Sequence, residues 1–75
     1  MDRYLNRGGD SGITGYEISQ SQIIVQFSDG WKYLYNSYKP GAIQVAEMQR
    51  LAVAGEGLNS YISRIVKKNY AERFR

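Results

Sequence analysis

Between Ile23 and Tyr35 the chain reads Ile-Ile-Val-Gln-Phe-Ser-Asp-Gly-Trp-Lys-Tyr-Leu-Tyr, and this segment limits the possible folds more than any other. Apolar and aromatic residues recur at every second position on both sides of Ser28-Asp29-Gly30. That pattern predicts a β-hairpin with one buried face. A two-residue turn at Asp29-Gly30 would put Phe27 opposite Lys32 and mix polar with apolar groups on both faces. A three-residue loop of Ser28, Asp29 and Gly30, with Gly30 left-handed, instead pairs Phe27 with Trp31, Val25 with Tyr33 and Ile23 with Tyr35. One face becomes wholly apolar and aromatic. The opposite face carries Ile24, Gln26, Lys32 and Leu34, half polar, as expected for a side that meets solvent. The three-residue loop is therefore the predicted turn.

The flanking sequence extends this hairpin into a small domain. Ile13 to Ile18 is rich in β-formers and ends in the polar stretch Ser19-Gln20-Ser21-Gln22, which predicts a first strand and a turn. Strands over 22–27 and 31–36 complete a meander. Pro40 then offers a first-turn proline, and a helix is predicted over 41–54, with Val45, Met48, Leu51 and Ala52 on one stripe. Ile43 falls off that stripe and is placed at the helix start against the end of the sheet. Gly55-Glu56-Gly57 stops this helix. Leu58, Tyr61, Ile62, Ile65 and Val66 then recur at the spacing of a core-facing helix, and if it continues, Phe74 stays near the same face. The expected fold is α+β: a three-stranded antiparallel β-meander followed by two helices packed on one face, in the order β-β-β-α-α. Phe27, Trp31 and Tyr33 are the expected anchors of the core. Residues 1–12, with Asn6, Gly8, Gly9, Asp10, Ser11 and Gly12, are read as a flexible tail preceding one domain over 13–75. Tyr4 and Leu5 are the residues of that tail able to dock on the domain.

A chain of 75 residues buries only about 60% of its unfolded surface, so each large side chain carries weight. The sequence has no cysteine and no histidine, which removes disulfides, thiolate nucleophiles, tetrahedral zinc sites and imidazole acid–base chemistry. Asp29, Glu47, Glu56 and Glu72 are spread over turn, helix, loop and tail, with no pair spaced for acid–base work. No enzyme activity, cofactor, metal or small-molecule substrate is expected. The first ten residues hold no apolar run of the signal-peptide kind, and no segment approaches the roughly 20 apolar residues of a membrane span. A soluble, cytoplasmic protein is the expectation.

The formal charge is +3, unevenly placed: residues 64–75 contain Arg64, Lys67, Lys68, Arg73 and Arg75 against Glu72, while the rest has five bases and six acids. With Tyr70 and Phe74 interleaved, this end has the composition of a phosphate-contacting surface with ring platforms. A solvated, dipole-complementing helix end gives the same composition. Tyr33 and Tyr35 have two readings as well. Paired aromatics on a sheet stack unpaired bases, whereas alternation with Trp31 on the apolar face makes them core, and spacing favours the core. Gly55-x-Gly57 lacks the preceding strand of a phosphate loop and is read as a turn.

Several features together resemble a known family. They are Ile13 and Tyr16 leading in, Phe27 before Asp29-Gly30, the central Tyr33-Leu34-Tyr35, Gly55 to Ile62 with Asn59 three before Ile62, and Tyr70-Ala71-Glu72-Arg73 near the end. In these, residues 11 to about 73 resemble the KTSC domain, a short bacterial module found alone or at the C-terminus of some lysyl-tRNA synthetases. The chain departs from that pattern in the turn Asn36 to Gly41 and at Lys32. The family has no established activity, and what the resemblance implies is an RNA-binding role suggested by attachment to a tRNA enzyme; charge placement makes Arg64, Lys67, Lys68, Tyr70, Arg73 and Arg75 the expected contact residues of a small non-catalytic module. The competing expectation is a protein partner or self-association through an exposed strand edge or the Ile24/Leu34 face.

Overall fold

The structure is a computed structural model that describes residues 1–9 and 12–75. Its elements are β1 (Asp2–Arg3), β2 (Ile13–Ser19), β3 (Gln22–Phe27), β4 (Lys32–Asn36), α1 (Ala42–Ala54), α2 (Leu58–Tyr61) and β5 (Glu72–Phe74), with a π-helical turn over Ile62–Val66 continuing α2. The α+β class is as expected, but the sheet has five antiparallel strands in the order β1-β2-β3-β4-β5, rather than three.

The central hairpin has the predicted register: Val25 faces Tyr33 and Ile23 faces Tyr35. Gly30 has φ +90°, its N–H donates to the Phe27 carbonyl at 2.9 Å, and Phe27 N–H donates to the Trp31 carbonyl at 2.9 Å, which closes the three-residue loop. The Asp29 carboxylate accepts the Trp31 N–H at 3.0 Å and holds the turn from its side-chain end. β2 and β3 are joined more tightly, with Ser19 opposite Gln22 across Gln20-Ser21.

α1 lies across β3 and β4, burying Val45, Met48 and Ala52 as its sequence stripe requires. Ile43, expected against the sheet, is 88% exposed. Two residues before Val45 on a helix lies some 200° around the axis, so burying Val45 turns Ile43 to solvent. Pro40 is not in the first turn either: it bridges to Asn36, whose side chain accepts the N–H groups of Tyr38 and Lys39, and α1 starts beyond Gly41.

The segment expected to be a tail is part of the fold over residues 2–7. Asp2 and Arg3 pair with Tyr16 and Gly15, Tyr4 is buried, and the Arg7 N–H and Nε donate to the carbonyls of Gly55 and Ala54 at 2.7 and 3.0 Å. These bonds satisfy carbonyls that the end of α1 leaves free. The chain passes so close that a Cβ on Gly55 would stand 2.7 Å from the Leu5 Cβ, and Gly55 itself has φ +79°. Both facts require glycine there. Composition does not reveal this strand, because an edge strand depends on free backbone groups of its neighbour, not on apolar content of its own. The tail reading for residues 10 and 11 lies outside the described residues.

The second helix also departs from its periodicity. Leu58, Ile62 and Val66 are buried, but Ile65 is 48% exposed. The Lys67 N–H reaches back to the Ile62 carbonyl, five residues earlier, and the wider turn keeps Val66 over the core while rotating Ile65 outward. Lys67 then ends the helix at φ +55°, ψ −127°. Phe74 therefore does not continue a helical face; it pairs with Lys32 in β5, on the side of the sheet away from the helices.

The core is built from Tyr4, Ile13, Ile23, Val25, Tyr35, Val45, Met48, Ala52, Leu58, Ile62 and Val66. Of the expected anchors, Phe27 and Tyr33 are half-buried at its margin, and Trp31 is half-buried beyond it. All three lie toward the hairpin's loop end, where Asn59, Ile62 and Ser63 of α2 and its π turn border Phe27 and Tyr33 without closing over them. The sheet there is open.

Candidate nucleic-acid interface

That open end forms a cleft of about 790 Å³, within the size range of small-ligand sites. Its floor is aromatic. Tyr33, projecting from β4 on the helix side, meets Phe27 edge-to-face at 5.3 Å between ring centres and Tyr70 at 5.0 Å, while Tyr35 lies deeper. Both contacts are edge-to-face, and neither is a parallel stack.

The rim is cationic and is assembled from two directions. Lys67 and Lys68 come from the end of the π turn, and Arg73 comes from β5, opposite Tyr33. The left-handed backbone of Lys67 is strained for a residue with a Cβ. It redirects the chain so that two consecutive lysines border the cleft instead of running on along a helix axis. π turns and such strained residues gather at functional sites. Asn59, Ser63 and Asp29 add polar groups to the walls.

Trp31 holds the arginines. The guanidinium carbons of Arg73 and Arg75 lie 5.0 and 4.8 Å from its ring centre, within cation–π range. Alternation along β5 explains the pair, since residues 73 and 75 share the strand face that also presents Trp31 and Tyr33. Arg73 thus belongs both to the cleft and to the indole platform beside it. Among the described residues the ion pair is Arg50 with Glu47, exposed on α1, which holds the Glu47 carboxyl below its usual range; none joins Lys67, Lys68, Arg73 or Arg75 to a carboxylate. Among the described lining residues Asp29 is the one carboxylate, against Lys67, Lys68 and Arg73.

Tyr35 is 1% exposed, and burial pushes its phenol far above the usual value of 10.0, with Tyr33 and Tyr70 adding to the shift. It is a neutral wall of the site.

Of the residues singled out from sequence, Lys67, Lys68, Tyr70 and Arg73 are brought together around the cleft, with Arg75 beside Arg73 on Trp31. Arg64 is exposed on the π turn and does not line the cleft. The two readings of the tyrosines divide: Tyr35 is core, whereas Tyr33 packs on the core and also floors the cleft. Sequence reasoning missed Phe27, Trp31, Asn59 and Ser63 as site residues. Arg73-x-Arg75 carries a strand-like alternation, the one signal in the sequence that points to Trp31. No helix among the described residues is long and apolar enough to cross a membrane, and no three Asp or Glu converge there as a metal site would require. No protein-family model, curated protein or solved structure matches the chain.

Proposed function

We propose that this chain is a non-catalytic cytoplasmic module that binds single-stranded RNA, taking an unpaired base against the Phe27, Tyr33 and Tyr70 rings and phosphates on Lys67, Lys68, Arg73 and Arg75. The observation that carries this reading is the juxtaposition of an aromatic floor with an excess of cations that form no ion pair among the described residues. Single-strand recognition combines these same two elements: bases stack on rings and the backbone follows positive charge. The resemblance to the KTSC domain, itself part of this proposal, agrees with it through that module's attachment to a tRNA enzyme. Binding of this kind is weakly sequence-specific, because every base has a π-face and phosphates carry no sequence information.

The test is a titration of short single-stranded RNA at several salt concentrations. Affinity falls with salt at a log–log slope of about 0.7 per phosphate contacted, so four cationic contacts give a slope approaching 3. An amide chemical-shift titration then maps the contacted residues to the loop end of the sheet. Absence of salt-dependent binding removes the proposal.

A further inference from the structure

The side of the sheet away from the helices carries a charge pattern that is complementary to itself. The strand register places Arg3, Gln26, Lys32 and Phe74 in one row across the sheet and Glu17, Ile24, Leu34 and Glu72 in the next. The first row is basic and the second acidic. They are separated by two residues along the strands, about 7 Å. Ile24 and Leu34 are directly opposite each other at the centre, Phe74 is 38% exposed in the neighbouring row, and the Met1 side chain, 54% exposed, lies 3.3 Å from where a Cβ on Gly15 would stand. The acidic row thus has Ile24 and Leu34 at its centre and Glu17 and Glu72 at its ends, beside a row carrying the cations Arg3 and Lys32. Helices cover the opposite side of this sheet, and no element of the chain among the described residues covers this one.

We infer that this face docks on a second copy of the same chain in a two-fold dimer. A two-fold axis running across the strands between the two rows, parallel to the sheet, maps the basic row of one copy over the acidic row of the other. Position along the row is kept by this rotation. Lys32 on β4 then neighbours Glu72 on β5 of the second copy, Arg3 on β1 neighbours its Glu17 on β2, and Ile24 and Leu34 lie over Gln26 and the aliphatic stem of Lys32 of that copy. The symmetry repeats each contact twice, as an isologous interface must. The face has two charges of each sign, so the copies meet without net repulsion although the chain as a whole is positive. A face of five short strands is at the small end of specific interfaces, which makes the dimer reversible and concentration-dependent. The clefts remain outside it, on the helix sides of the two copies, and the inference is independent of the RNA reading.

Sedimentation equilibrium across protein concentration tests it, with circular dichroism confirming the fold of each variant. Wild type dimerises reversibly, and salt weakens the dimer. Lys32→Glu and Glu72→Lys each place like charges together twice, and each lowers the association constant by at least about tenfold. An equimolar mixture of the two variants restores association to near wild type, because residue 32 of each then meets an opposite charge at residue 72 of the other. Within one chain these two positions are diagonal neighbours, and mixing cannot repair a defect of that internal kind. A wild-type monomer up to about 1 mM, single variants that dimerise as wild type does, or a mixture that stays monomeric would each overturn the inference.

Discussion

The phenol oxygen of Tyr4 accepts the backbone N–H of Leu58 at 3.2 Å, joining residues 54 positions apart. Leu58 opens α2, and its N–H is among the donors that a helix start leaves without an internal partner. Tyr4 is 3% exposed and Leu58 fully buried, so the bond is made where water does not replace it. The residue after β1 therefore fastens the helix that borders the cleft, and ties the N-terminal segment to the site.

Tyr4→Phe keeps the ring and deletes this acceptor. It is expected to cost about 1 to 2 kcal/mol, the penalty for a buried donor left unmade. For a domain of this size that lowers Tm by roughly 4 to 8 °C per kcal/mol, measurable by calorimetry or thermal circular dichroism. Tyr4→Ala, which also empties part of the core, should cost more, about 3 to 5 kcal/mol.

Ring and charge contributions to RNA binding separate by their salt dependence. Tyr70→Ala removes a stacking surface and should weaken binding by about 1 to 3 kcal/mol, roughly 5- to 150-fold, with the salt slope unchanged. Lys67→Ala combined with Lys68→Ala should lower the slope by about 1.4. Arg64→Ala, outside the cleft, should leave both quantities close to wild type.

Lys67 is expected to trade stability for placement. Its φ of +55° with ψ −127° is a conformation that glycine adopts without strain. Lys67→Gly should therefore raise stability by about 1 kcal/mol in urea unfolding while removing one phosphate contact, a loss of about 0.7 in slope. Lys67→Ala, which keeps a Cβ, should lose the contact without the gain in stability.

Alkaline unfolding should report Tyr35. Burial raises its folded-state pKa well above the usual 10.0, so the fold retains a proton that the unfolded chain releases. The contribution is fully present below about pH 10 and is lost as pH rises beyond it, at up to about 1.4 kcal/mol per pH unit. The measurement is denaturant unfolding between neutral pH and pH 11, wild type against Tyr35→Phe. The variant should lack this part of the decline.

Local pattern alone determined the centre of the molecule. Alternation around Ser28-Asp29-Gly30 set the register of β3 on β4, because only one loop length makes one face wholly apolar and aromatic. Val45, Met48 and Ala52 set the buried side of α1 for the same reason, and Gly55 its end. The excess of positive charge near the C-terminus was equally legible. Tertiary structure alone decided the edges. β1 and β5 form where backbone donors and acceptors of β2 and β4 are free, and that pairing leaves almost no trace in side-chain composition over two or three residues. The turn at Lys67 depends on a π-type bond that a helical repeat does not announce. With β5 placed beside β4, Arg73 and Arg75 arrive at Trp31, and Tyr70 arrives at Tyr33. The cleft exists because residues 40 positions apart in sequence share one face of a sheet, a relation that no periodicity within either segment contains.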